Sequence, residues 1–220
     1  MLILNLETST KNCSVTLSNN GNVILCKEIA EEGYSHAERL HVFIEEILSE
    51  SEISILDLKA IAVSKGPGSY TGLRIGVSAA KGLCYGLKIP LISIDTLTIL
   101  ARQISIENGL IVPMIDARRM EVYSAIFDAN HQMIREVKAE ILTSESFATF
   151  DQTIHFIGDS TEKAKTILHQ SNFVFHDAIV YPSSKEMSAL SFEKFQNNDF
   201  EDVAYFEPYY LKDFMTTSKS

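Results

Sequence analysis

The sequence predicts an α/β protein built from two related lobes, and three observations lead there. A buried strand that ends at an acid and passes through a polar turn into a hairpin occurs twice. It is found at Leu2–Leu6 with Glu7 and at Leu110–Ile115 with Asp116, about 108 residues apart. Short apolar runs alternate with segments of helical period, the pattern of β–α units and not of an all-β chain. The repeat is as long as a whole lobe, far beyond a solenoid period. Asn108-Gly109 is a turn signal, so the boundary is drawn near it. The first lobe covers 1–106, joined by a C-terminal segment 203–220, and the second covers 107–202.

The elements follow in order. After strand Leu2–Leu6, Thr8-Ser9-Thr10 and Lys11-Asn12 form a polar turn, and Cys13–Leu17 alternates as a second strand. Asn19-Asn20-Gly21-Asn22 turns into a third strand, Val23–Ile29. From Ser35 to Ser49, Leu40, Phe43, Ile44, Ile47 and Leu48 fall at helical spacing. Ala60–Val63 is a short buried strand, and Gly66-Pro67-Gly68 turns the chain into a helix that Ser69 or Thr71 can cap and that runs to about Gly86. Leu91–Ile94 is a strand and Thr96–Gln103 a helix. In the second lobe, Glu121–Phe127, Met133–Leu142 and Thr153–Ile157 are strands, followed by a helix over Thr161–Gln170, a short strand Phe173–Phe175 and a helix over Ser184–Asn197.

One helix carries an unusual feature. Gly72, Gly76 and Ala80 recur every four residues along one face. A mid-helix glycine costs about 1 kcal/mol against alanine, so a stripe of them implies that a backbone, a helix or a ligand comes very close.

Bulk properties narrow the function classes. With 45% hydrophobic and 22% charged residues, the 220-residue chain reads as a soluble globular protein with room for two cores. No run is long enough to span a bilayer and the N-terminus lacks a signal-peptide pattern, so a cytoplasmic protein without a membrane partner is expected. A net charge of −10 argues against holding nucleic acid unaided. Cys13, Cys26 and Cys84 have no CxxC spacing and are expected to be reduced, buried hydrophobes.

Candidate chemistry is sparse. Gly66, Gly68 and Gly72 match neither a P-loop nor a dinucleotide fingerprint, and Pro67 lacks the N–H a phosphate nest would use. Glu7-Thr8-Ser9-Thr10 places an acid at a strand end before three hydroxyls, either a vestigial nucleotide site or a turn whose hydroxyls bond the local backbone. His36 and His41 are five apart and diverge on a helix, and no H-E-x-x-H pair exists, so neither metal nor another cofactor is expected. There is no G-x-S-x-G elbow. Arg118-Arg119 beside Asp116 reads as an ion-pair cluster or a surface turn, and the aromatic tail Tyr205–Leu211 as a segment that packs back on the body.

Two long segments carry a family resemblance. L-I-L-N-L-E-T-S-T-K-N-C-S-V-T-L at Leu2–Leu17 and Ala60–Leu97, with I-D-A-R-R-M-E-V-Y and the tail F-E-P-Y-Y-L-K, resemble the bacterial TsaB (YeaZ) family over most of the chain. The resemblance implies the actin/sugar-kinase/Hsp70-like (ASKHA) fold. It implies a non-catalytic role beside the paralogue TsaD and the ATPase TsaE in threonylcarbamoyl transfer to N6 of adenosine 37 in tRNAs reading ANN codons. It leaves a homodimer or a monomer open without TsaD, and implies contact with tRNA only through the complex. TsaD carries an H-x-x-x-H metal pair, and here Thr96 and Leu100 stand at the aligned positions. Glu7 replaces the family's frequent Asp. A glycoprotease-like metallopeptidase or a nucleotide-hydrolysing ASKHA enzyme is the alternative.

The resemblance also implies that the first two helices pair with those of TsaD. The interface candidates are Leu40, Phe43, Ile44 and Ile47 on the first helix. On the second they are Gly72, Ile75, Gly76, Ala79, Ala80 and Leu83. On that basis Gly76→Leu is expected to weaken partner binding and spare the fold.

Overall fold

The computed structural model describes residues 1–30 and 36–211. Ser35, at the start of the first predicted helix, and 212–220 of the predicted tail lie outside the described residues.

Two five-stranded sheets repeat one topology. In the first, β1 (Leu2–Glu7) pairs antiparallel with β2 (Cys13–Asn19), which pairs antiparallel with β3 (Asn22–Ile29). On its other side β1 pairs parallel with β4 (Ala60–Gly66), which pairs parallel with β5 (Leu91–Asp95). In the second sheet β6 (Leu110–Asp116), β7 (Glu121–Asp128), β8 (Met133–Ile141), β9 (Ile154–Ile157) and β10 (Phe173–Phe175) repeat the same order and directions. This duplicated order is the ASKHA arrangement that the resemblance implied, with Glu7 and Asp116 at equivalent strand ends.

The helices divide the sheet faces. α1 (His36–Glu50) and α2 (Tyr70–Leu87) cover the face of the first sheet that carries Leu4, Leu6, Val15, Ile61 and Val63, with Leu40, Ile47, Val77 and Ala80 buried against it. α3 (Thr96–Ala101) sits between the sheets: Leu97, Leu100 and Ala101 pack with Ile111 and Phe127 of the second, while Ile99 packs with Ile3 and Ala62 of the first. α4 (Thr161–Lys165) lies on the outer face of the second sheet and stops five residues short of its predicted end. Beyond it the backbone tightens into turns such as Ile167 N–H to the Ala164 carbonyl.

One assignment needs correction. α5 (Met187–Gln196) falls within 107–202, which the sequence gave to the second lobe, yet Met187 packs with Ile3, Ala60, Ile92 and Ile94 of the first sheet. The reason lies in β2. Its alternation places Ser14, Thr16 and Ser18 on one face, and all three are buried. Ser184 satisfies two of them: its N–H donates to Ser14 Oγ at 2.8 Å, and its Oγ lies 2.6 Å from Thr16 Oγ1. Asn5 Nδ2 donates to Ser18 Oγ at 3.0 Å. The turn before α5 thus supplies partners that buried hydroxyls require.

The segment after α5 returns along the first lobe. Glu201 N–H donates to the Leu91 carbonyl at 2.8 Å, and Tyr209 N–H to the Lys65 carbonyl at 2.7 Å. Lys81 Nζ donates to the carbonyls of Ala204 at 3.2 Å and Phe206 at 2.8 Å. Lys81→Met removes both donors and should loosen this strap without touching the core. Chymotryptic cleavage at Phe206 is then expected to run several-fold faster than in the parent, and an unchanged rate would mean that Val203 and Phe206 hold the strap by packing alone.

Candidate functional site

α2 is capped by Ser69, whose Oγ accepts from Gly72 N–H at 3.3 Å; Thr71 is exposed and plays no capping part. The underside of the helix rests on the loop Glu7–Thr10. Thr8 Oγ1 donates to the Gly72 carbonyl at 2.8 Å, and Ser69 N–H donates to the Ser9 carbonyl at 2.7 Å. A Cβ on Gly68 would lie inside 3.0 Å of the Ser9 carbonyl oxygen, and one on Gly72 equally close to the Thr8 carbonyl oxygen. A Cβ on Gly76 would crowd Thr8 Oγ1 in the same way. The close neighbour that the glycine stripe admits is therefore this loop, in the same chain.

That contact decides what the loop can do. Glu7, Thr8 and Ser9 are fully buried and Thr10 nearly so. Glu7 Oε1 accepts from Ser9 N–H at 2.6 Å and Ser9 Oγ–H at 2.5 Å. Two of the three hydroxyls are thus engaged inside the chain, but neither bonds the local backbone: Thr8 reaches the distant Gly72 carbonyl and Ser9 the Glu7 side chain, and the turn is buried and not solvated. Glu7 Oε2 and Ser64 Oγ have no hydrogen-bond partner of normal geometry. They are neighbours, because the β1–β4 register ends at Leu6↔Val63 and the next residue of each strand lies on the same sheet face. Burial pushes the Glu7 carboxyl up from 4.5 to about 7, against the hydrogen bonds from Ser9, which lower it.

Most of the predicted interface residues face inward. Leu40, Ile47, Phe43, Ile44 and Ala80 belong to the buried core under the first sheet, and Gly72 and Gly76 are buried against Thr8. Apolar periodicity identified a face that packs, and here it packs on the chain's own sheet. Ile75, Ala79 and Leu83 are half-buried and reach the surface. Gly76→Leu would thus strike the interior and cannot report on a partner. What α2 presents outward is Thr71, Arg74, Ser78, Gly82, Tyr85 and Gly86. A Cβ at Gly82 or Gly86 would meet nothing within 4 Å. The signal for this face is a second small-residue register, Ser78, Gly82 and Gly86, two positions off the stripe that drew attention.

The equivalent turn of the second lobe is closed differently. Lys163 Nζ is paired with Asp116 and donates to the carbonyls of Arg119 at 3.1 Å and Glu121 at 2.6 Å. Arg118 and Arg119 have φ of 73° and 53°, so Arg118-Arg119 forms a tight turn around that ammonium. Asp159 accepts from Asp116 N–H at 2.8 Å, and its burial pushes it up to about 6. Burial likewise pushes the Cys13 and Cys84 thiols up to about 12, which makes them poor nucleophiles. His155 Nδ1 and His176 Nε2 lie 2.9 Å apart in a pair that sequence spacing gave no means of finding. Leu100 is packed in the inter-sheet cluster and Thr96 is buried. Among the described residues, no three His, Cys, Asp or Glu side chains come together as a metal-ligand set.

The family model described as "TsaD: tRNA N6-adenosine threonylcarbamoyltransferase" matches residues 28–216. The tRNA threonylcarbamoyladenosine biosynthesis protein TsaB of Escherichia coli is 30% identical over 96% of this chain and 95% of its own. The chain belongs to the TsaB family of tRNA threonylcarbamoyladenosine biosynthesis proteins. The TsaB of Bacillus subtilis is 31% identical over 96% of this chain and 94% of its own. YeaZ from Pseudomonas aeruginosa superposes with a TM-score of 0.81 at 25% identity, covering 96% of this chain and 99% of that one. Among the described residues of this TsaB-family chain, no helix is long and apolar enough to cross a membrane.

Proposed function

We propose that this chain is the non-catalytic subunit that pairs with TsaD and, with TsaE, supports threonylcarbamoyl transfer to N6 of adenosine 37 in tRNAs reading ANN codons, in the cytoplasm. The observation that carries it is the state of the Glu7–Thr10 loop. A phosphate-binding loop must offer its hydroxyls and N–H groups to the ligand. Here Thr8 Oγ1 and the Ser9 carbonyl brace α2 from beneath, while Ser9 Oγ and N–H are spent on Glu7. A loop committed in this way supports a rigid helix and leaves the outer face of that helix free for a second protein. Thr96 and Leu100, where TsaD would carry its metal histidines, offer no comparable ligands.

A reconstitution tests the proposal. With TsaD, TsaE, threonylcarbamoyl-adenylate and tRNA, modified adenosine is expected only when this chain is added, and the chain with donor and tRNA alone should yield none. It should also co-elute with TsaD in size exclusion. Modification by the chain alone, or full activity of TsaD and TsaE in its absence, would overturn the scaffold role.

A further inference from the structure

Among the described residues, the chain passes between its lobes twice. It leaves the first lobe through 102–109, between α3 and β6, and returns through 176–182, between β10 and the turn that Ser184 fixes to β2. The two crossings are tied together, since Gln103 Nε2 donates to the Tyr181 carbonyl at 2.7 Å. They also border one cavity of about 380 Å³, lined by 104–108 of the first crossing, His176 and Ile179 of the second, and His155 of β9.

Strand alternation brings the two histidines there. β9 and β10 are parallel with His155 opposite Val174, so His176, two residues on, continues the same sheet face. The opposite face carries Phe156, Phe173 and Phe175 into the core. His155 Nδ1 and His176 Nε2 are 2.9 Å apart, so one nitrogen donates, the other accepts, and the contact holds a single proton. The bond fastens the second crossing to β9, beside the Gly158 N–H that donates to the Ile179 carbonyl at 2.8 Å.

Few charges surround the pair. Glu107 brings a carboxylate to the cavity wall. Asp177, next to His176, is paired with Lys165. His131 reaches over from the β7–β8 turn, its Nε2 2.9 Å from the Ile104 carbonyl. Burial first, and then charge on His176, holds His155 below the ordinary histidine value. A first added proton goes to a ring nitrogen outside the contact and leaves the bond intact. A second must sit on the accepting nitrogen, and two N–H groups of like-charged rings then face each other.

We infer that His155 and His176 form a proton-operated latch on the joint between the lobes, closed while their contact holds one proton and opened when both rings are charged. Hydrogen exchange of the full chain between pH 7.5 and 5, corrected for the intrinsic rate, tests it. In the parent, amides of 103–108 and 176–181 are expected to exchange several-fold faster at pH 5 than at pH 7.5. Glu7 and Asp159, whose values are raised, act in the opposite sense and cannot produce that acceleration. In His155→Leu and His176→Leu the corrected rates should no longer accelerate on acidification, whereas His41→Gln, exposed on α1, should behave as the parent.

No acceleration in the parent, or equal acceleration in the parent and both leucine variants, would overturn the latch. The ring C–H signals of the parent give a reading without substitution: the pair should titrate in two coupled steps, and two independent steps would overturn it as well. Stoichiometric Zn²⁺ binding at pH 7.5 that either leucine variant abolishes would make the two rings metal ligands and overturn the proton-sharing contact.

Discussion

Gly72→Ala is expected to cost about 3 kcal/mol, the upper end of what overpacking costs, and to lower Tm by ~6–12 °C for a chain of this size. The added methyl would stand inside 3.0 Å of the Thr8 carbonyl oxygen, and His36 crowds it from another side. The Thr8 carbonyl is backbone, fixed between β1 and the bonds that Ser9 makes to Glu7, so it cannot swing aside as a side chain would. Ten positions along the same helix, Gly82→Ala should act in the opposite sense. Nothing lies within 4 Å of that Cβ, so only helix propensity operates and up to about 1 kcal/mol is gained. Urea melts of the two variants beside the parent make the comparison. A Gly72→Ala protein as stable as the parent would show that the loop yields and that the glycines serve no close approach. A matching loss at Gly82 would mean that a contact operates there as well.

These paired glycines also show what the sequence made legible. The strands were readable because β-strand periodicity, turn residues and the repeat of strand, acid and hairpin are local signals, whereas their order in the sheets came only from the family resemblance. The glycine stripe was readable as a close contact, because nothing else repays mid-helix glycine. Its neighbour was not readable, since Thr8 lies 64 residues from Gly72 and no local pattern records which loop passes beneath a helix. The same gap explains the interface candidates. Leu40, Phe43, Ile44 and Ile47 announce a face that must be buried, and amphipathicity has no term for whether the burying surface belongs to the same chain. α5 crossed to the first sheet for a reason written in β2, where Ser14, Thr16 and Ser18 resemble a wet face until Ser184 and Asn5 are seen to bond them. The outward register of Ser78, Gly82 and Gly86 has the same spacing as the inward one, so composition alone cannot rank the two.

The second large effect concerns Glu7 and is read against pH. Burial raises its folded-state pKa from 4.5 to about 7, so between those values the folded chain holds a proton that the unfolded chain has released. Stability must then fall as pH rises through that window. The contribution is fully present below 4.5, declines up to and through 7, and is absent at pH 8, a change on the order of 3 kcal/mol. Structure gives the proton a place: a neutral carboxyl bearing hydrogen on Oε2 can donate to Ser64 Oγ, and each of these atoms lacks a partner otherwise. Glu7→Gln keeps an uncharged donor at that position and cannot titrate. Urea unfolding of parent and variant at pH 5, 6, 7 and 8 should therefore show the variant gaining on the parent across the series, with most of the gain between pH 5 and 7. Parallel stability curves would mean that Glu7 is ionised throughout and that solvent or a cation reaches Oε2. Because an ionised carboxyl buried beneath α2 lowers the stability of the fold around it, the same titration should make the first turn of the helix open more often. Hydrogen exchange at Gly72 and Leu73 is expected to accelerate in the parent as pH rises from 5 to 7, beyond the intrinsic base-catalysed trend, and to follow that trend alone in Glu7→Gln.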